Sequence, residues 1–116
     1  MSTSPLLSIG RLALLAGLMG VVSPLCAQAV DVAAAEKLIE DSKCGKCHSV
    51  DKQKDGPSFK KTAAKYKGKA DAESKLVTHM TTGPSVEIDG VKEEHTKIKS
   101  KDDAAIKNVA RYILSR

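Results

Sequence analysis

Apolar residues recur at helical spacing in three stretches of the chain. Ala35, Leu38 and Ile39 form a stripe within residues 31–42, and Asp31 stands where a helix N-cap would be. Residues 71–82 carry Ala72, Leu76, Val77 and Met80 along one side and stop at Gly83-Pro84. Residues 100–116 place Ile106, Val109, Ala110, Ile113 and Leu114 at i, i+3, i+4 intervals, with Ser100 and Asp103 in a capping-box pattern. A short helical turn is predicted over residues 60–66. No stretch alternates long enough to predict a strand, so the pattern reads as all-α, with loops at 44–58 and 83–99 and no internal repeat.

The N-terminal residues follow a different pattern. Residues 1–29 hold one charge, Arg11, followed by the apolar run 12–22. That run is shorter than the roughly 20 residues a membrane-spanning helix needs. Pro24 breaks it, and Ala27-Gln28-Ala29 then supplies the small residues of a signal-peptidase site. The expectation is a cleaved secretory signal peptide over 1–29 and a single domain over 30–116, with cleavage after Ala27 as the alternative. An uncleaved anchor is the competing reading. Lipidation at Cys26 is disfavoured, because Pro24 and Leu25 stand where small residues are wanted. The mature protein is thus expected in the periplasm with no stable membrane anchor.

Composition changes the picture of the core. The chain has 116 residues, no Trp, one Phe and two Tyr. Val, Ile, Leu and Phe supply 16 of the 87 residues from 30 onward. That is about 18%, just under the level at which chains become too polar to bury a core. An enzyme cleft between two packed layers is hard to build from so little. Either the mature chain is disordered, or something other than side chains fills its middle.

One motif bears on that choice. Cys44-Gly45-Lys46-Cys47-His48 is a C-x-x-C-H run, the attachment signature of c-type haem. Two thiols one short turn apart can add to the two vinyl groups of a porphyrin, and the following imidazole then lies beneath the iron as proximal ligand. A thioredoxin-like dithiol would want a βαβ framework, and none is visible. A zinc site would need a second ligand pair at its own spacing, and adjacent Cys47 and His48 are poorly placed to chelate one metal. Export, helical pattern and thin core all favour one covalent haem c.

The motif and its surroundings resemble the short bacterial class I cytochromes c. The resemblance rests on residues 44–48, on Ser49-Val50-Asp51, on Gly56-Pro57-Ser58-Phe59-Lys60, on Ala63-Ala64-Lys65-Tyr66-Lys67-Gly68 and on the final Ala110-Arg111-Tyr112-Ile113-Leu114. It covers nearly all of residues 31–116 and is weakest between 83 and 99. It implies the class I fold, with N- and C-terminal helices crossing beside the haem and a third helix closing the far wall. It also implies that the Pro57 carbonyl accepts a hydrogen bond from the His48 ring, which would raise the basicity of that ligand. A plain surface turn is the simpler reading of Gly56-Pro57.

The chain departs from the family at the sixth ligand. Those cytochromes carry a Met, usually followed by Pro, in the loop before the last helix. Here the loop reads Val91-Lys92-Glu93-Glu94-His95-Thr96-Lys97-Ile98, and His95 falls next to the position of that Met. His95 is the expected distal iron ligand. Met80 is the runner-up, although its place on an apolar stripe suits a side chain packed against the haem. His79 ranks below both, at the polar edge of its helix, where an exposed surface histidine is the plain reading. An open or water-bound iron is the remaining option. Bis-imidazole ligation lowers the reduction potential relative to Met/His. A His on a charged loop without a Pro brace could detach on reduction, and its protonation near the ordinary pKa of about 6.5 would couple electron and proton uptake.

Charge sharpens the partner expectation. The formal net charge is +5. Residues 43–69 hold nine Lys against Asp51 and Asp55, while residues 30–42 are net acidic and 70–116 balance. Export excludes nucleic acid as a partner for these lysines. A basic ring around the attachment segment would steer the protein toward redox proteins with acidic docking surfaces, whereas the bland alternative is a solvated surface. The combined expectation is a monomeric, non-enzymatic electron-transfer protein with one haem c. The alternatives are a haem-based sensor or binder of small ligands, and a haem-free dithiol protein. With Cys44 and Cys47 unlinked, the chain is expected to be largely unfolded; a cooperative, native-like thermal transition of haem-free protein in circular dichroism would contradict this.

Overall fold

A computed structural model describes Met1 and residues 28–116. Four helices follow in order: α1 (Val32–Asp41), α2 (Phe59–Tyr66), α3 (Ala72–Thr82) and α4 (Asp103–Leu114). A single 3₁₀ turn (Cys44–Lys46) follows α1, and a two-stranded hairpin, β1 (Ser85–Ile88) and β2 (Val91–Glu94), lies between α3 and α4. Among the described residues, no helix is long and apolar enough to cross a membrane. The expected leader over 1–29 lies outside the described residues, apart from Met1, Gln28 and Ala29.

Local chemistry accounts for most boundaries. The Asp31 carboxylate accepts from the Ala34 amide at 3.0 Å and opens α1. Ser58 does the same for α2 through the Lys61 amide at 3.1 Å, which extends the expected turn to two full helical turns. Gly83 ends α3 in the left-handed conformation. The start of α4 corrects the expected box between Ser100 and Asp103. Asp102 is the cap, accepting from the Ala104 amide at 3.0 Å, while the Ser100 hydroxyl accepts from the Asp102 amide instead. A carboxylate is as good a cap as a hydroxyl, and Asp102 lies beside the first helical residue.

The hairpin corrects the expectation of an irregular loop over 83–99. Asp89 (φ 49°) and Gly90 (φ 80°) are both left-handed, as a two-residue type I′ turn demands. Ile88 pairs with Val91 and Ser85 with Glu94. Val86 and Ile88 are half-buried while Ser85 and Glu87 are exposed, a true period of two over too few residues to register as a pattern.

The core is gathered on α4, which packs against each of the other three helices. Ile106, Val109, Ala110, Tyr112 and Ile113 of α4 are buried, with Phe59, Leu76, Met80 and Ile98 in the same cluster. Ala35 is fully buried; a side chain this small lets α1 cross close to α4. Polar bonds pin the crossing. The Asp31 amide donates to Asn108 Oδ1 at 2.9 Å, and Asn108 Nδ2 donates back to the Asp31 carbonyl at 2.8 Å. The Tyr112 hydroxyl donates to Glu36 at 2.9 Å, and Arg111 forks onto both oxygens of Glu73 on α3 at 2.8 and 3.2 Å. Removing the two-way bond with Asn108→Ala should cost about 1–2 kcal/mol, read as a lower urea midpoint with an unchanged slope.

Candidate cofactor site

The attachment segment begins with a turn that ordinary residues avoid. Lys43 adopts φ 62°, which swings the chain out of α1 and into the 3₁₀ turn. Within it the Cys47 and His48 amides both donate to the Cys44 carbonyl, at 3.2 and 3.0 Å. Cys44 and Cys47 are half-buried free thiols rather than a disulfide.

His48 is fixed on three sides. Its Nδ1 lies 2.7 Å from the Pro57 carbonyl oxygen. A carbonyl only accepts, so Nδ1 carries the proton and Nε2 keeps its lone pair for a metal. The ring stacks on Phe59 at 5.8 Å between centroids, and Phe59 meets Tyr112 of α4 edge-on at 6.3 Å. On the remaining side Gly56 approaches so closely that a Cβ would fall 2.5 Å from His48 Cε1. The Gly56 amide also donates to the Cys47 carbonyl at 2.8 Å, closing the loop back onto the motif. Gly56 is therefore a positioning residue that the sequence alone does not reveal. Its requirement is space rather than an unusual φ, and nothing local separates it from a turn glycine.

His95 stands across from His48, with ring centroids 6.0 Å apart and planes tilted by 49°. Two imidazoles holding one metal through nitrogens at about 2 Å leave their centroids about 6 Å apart, so this spacing fits an iron between them. His95 Nδ1 is buried with no hydrogen-bond partner among the described residues. With two free thiols one turn from His48, the donor set fits a covalent haem. The hairpin delivers His95. Its amide donates to the Pro84 carbonyl at 2.9 Å, and the Ile98 amide donates to the Met80 carbonyl at 2.9 Å. Gly83 makes room for the pass, since a Cβ there would lie 3.0 Å from the His95 carbonyl.

The other two distal candidates take different places. Met80 is buried in the cluster with Phe59, Leu76 and Ile98. His79 keeps an exposed face yet packs edge-on against His95, 4.3 Å between centroids, a contact that the reading of an isolated surface histidine missed. Burial lowers the affinity of both imidazoles for protons. His48 and Lys65 depress His79 further, and His79 and His48 do so for His95. Away from all three histidines, an open groove of about 590 Å³ lies where α2 meets the end of α4, with Lys60, Lys67, Lys69 and Arg116 on its walls. Lys60 pairs with Asp51, and Lys54 donates to the Gly45 carbonyl beside the thiols.

A family model for cytochrome c matches residues 32–116. The chain is 36% identical over 59 residues to cytochrome c-551 of Pseudomonas aeruginosa, covering 51% of this chain and 57% of that protein. It is 44% identical over 46 residues to cytochrome c-551 of Allochromatium vinosum, covering 40% and 49% respectively. The chain thus spans about half the length of the curated relatives it matches. Among solved structures, the class 1 cytochrome MtoD of Sideroxydans lithotrophicus ES-1 superimposes with a TM-score of 0.72 at 55% identity, over 75% of this chain and 97% of that one. Cytochrome c552 of Nitrosomonas europaea gives 0.57 at 30% identity, over 69% and 96%.

Gly56→Ala should drive a methyl into the His48 ring. The expected cost is about 1–3 kcal/mol of stability together with a shifted Soret spectrum of the haem-bearing protein, whereas Gly45→Ala, where a Cβ meets nothing within 4 Å, should leave the Soret spectrum in place.

Proposed function

The chain belongs to the class I cytochrome c family and carries one covalently attached haem c at Cys44 and Cys47, and from that premise we propose that it is a monohaem electron carrier with two histidine ligands. The observation that carries the reading is the pair of imidazoles, His48 and His95, held 6.0 Å apart beside the attachment cysteines Cys44 and Cys47. Bound there, the haem iron supplies reversible one-electron exchange.

The residues of this chain hold, orient and shield. Cys44 and Cys47 tether the group, and the Pro57 carbonyl keeps His48 in the tautomer whose Nε2 lone pair is free. His95 is the distal ligand of this proposal. Met80 contributes buried apolar surface in contact with the haem, and Phe59 braces the His48 ring. Two neutral nitrogen ligands favour the ferric state more than a thioether does, so the potential sits below that of a Met/His relative. Release of His95 on reduction is the finer part of the proposal. The bonds to Pro84 and Met80 pin both flanks of its loop, so release would be a side-chain rotation and not an unfolding of the loop.

Export to the periplasm, by way of the leader over residues 1–29, belongs to the same reading. So do a monomeric state, the lack of an enzymatic reaction, and docking of acidic redox proteins on the lysines of residues 43–69. Such docking is fast at low ionic strength and slows as salt screens the lysines. The alternative, a sensor of small ligands, requires an open or readily opened iron.

The test is the absorption spectrum of His95→Ala and Met80→Ala in both redox states. His95→Ala is expected to become high-spin and to bind carbon monoxide when ferrous, while Met80→Ala stays low-spin. The converse result would move the distal ligand to Met80. Rapid carbon monoxide binding by the unmodified ferrous protein would favour the sensor.

A further inference from the structure

We propose that His79 is a positioning residue for His95, holding its ring edge-on and accepting the hydrogen bond of the buried His95 Nδ1–H. The proposal rests on the reading of His95 as distal ligand.

Three observations converge on it. First, His95 Nδ1 is buried and has no partner among the described residues. A histidine that binds metal through one ring nitrogen nearly always donates the other N–H to an acceptor, which fixes the ring and raises its basicity. A buried N–H left unpaired forfeits its hydration with nothing in return. Second, the His79 ring is the imidazole nearest to His95, at 4.3 Å between centroids and 62° between planes, against 6.0 Å for His48. A neutral imidazole offers one acceptor nitrogen in its ring plane, so a turn of the His79 ring together with a separation of the centroids to about 5 Å presents it to His95. Third, the backbones around the two rings are fastened together. His79 lies in the last turn of α3. The Ile98 amide donates to the carbonyl of neighbouring Met80, the His95 amide donates to Pro84, and Gly83 lets the His95 carbonyl pass close by. The contact between the rings is therefore built by the fold rather than left to two mobile side chains.

The role differs from ligation. With His79 in place, His95 has more anionic character and is held in one orientation, which stabilises the ferric state and slows displacement of His95. Both effects are readable in the haem-bearing protein. His79→Ala should remain low-spin but show a raised reduction potential and at least tenfold faster replacement of His95 by added cyanide in the ferric state. His79→Gln, which keeps an acceptor, should restore most of both, and the low-spin electron paramagnetic resonance signal should move in His79→Ala and return in His79→Gln.

An unchanged potential and cyanide rate in His79→Ala would overturn the proposal. So would a change that His79→Gln does not rescue, since loss of ring packing alone would produce it. If His79→Ala becomes high-spin while His95→Ala stays low-spin, His79 is itself the ligand and the positioning role is wrong. If His95→Ala and His79→Ala both leave the low-spin spectrum intact, the distal reading has failed independently of this proposal.

Discussion

Helices α1, α2 and α3 together bury six hydrophobic residues, three of them alanines, whereas α4 alone buries five, including Ile106, Tyr112 and Ile113. A core this thin cannot be shared among independent pairs of elements. It must be concentrated on one helix that all the others touch, and the remaining interior must be filled by something else. The covalent haem answers that need. It is a large apolar disc tethered at Cys44 and Cys47, and it converts a scarcity of Leu, Ile, Val and Phe into a wall around a prosthetic group. Stability and function therefore rest on the same group, because the cofactor that exchanges electrons also completes the core.

The proximal side shows how little sequence is needed to hold an imidazole rigidly. His48 is gripped by a carbonyl at Nδ1, a phenyl ring on one face and the bare backbone of Gly56 at its edge. Phe59 transmits that grip to Tyr112, so the ligand is referenced to α4, the most deeply packed element. Fixing the ring in advance lowers the reorganisation that accompanies a change of iron oxidation state. The side chains achieve this without any charged partner near Nδ1, since a neutral carbonyl tunes basicity more gently than a carboxylate would.

The distal side is built differently. His95 arrives on the far end of a hairpin whose exposed residues Glu87, Asp89, Glu93 and Glu94 outnumber Lys92. The lysines of residues 43–69 gather on the segment that carries Cys44, Cys47 and His48. On the proposed docking, an acidic protein would be steered toward the attachment segment by those lysines.

Much of this was legible along the chain. The C-x-x-C-H run is readable because covalent attachment demands contiguous spacing, and Asp31 and Gly83 because caps act within one turn of their own helix. The stripes at Ala35, Leu76-Met80 and Ile106-Ile113 are readable because a helix repeats every 3.6 residues. Ile88-Asp89-Gly90-Val91 carried a hairpin signal in its Asp-Gly pair, but the strands were too short for alternation to announce them. Ser100 reads as the cap of the last helix, yet Asp102 takes that place, because local pattern does not rank side-chain acceptors two residues apart. What only the tertiary structure decided is which side chains meet across long stretches of chain: Gly56 against His48, His79 against His95, and His95 across from His48. Periodicity assigns a residue to a face of its own element. Where that face lands, and how close another backbone comes, depends on loop closure and packing among distant elements, which no short window of sequence contains.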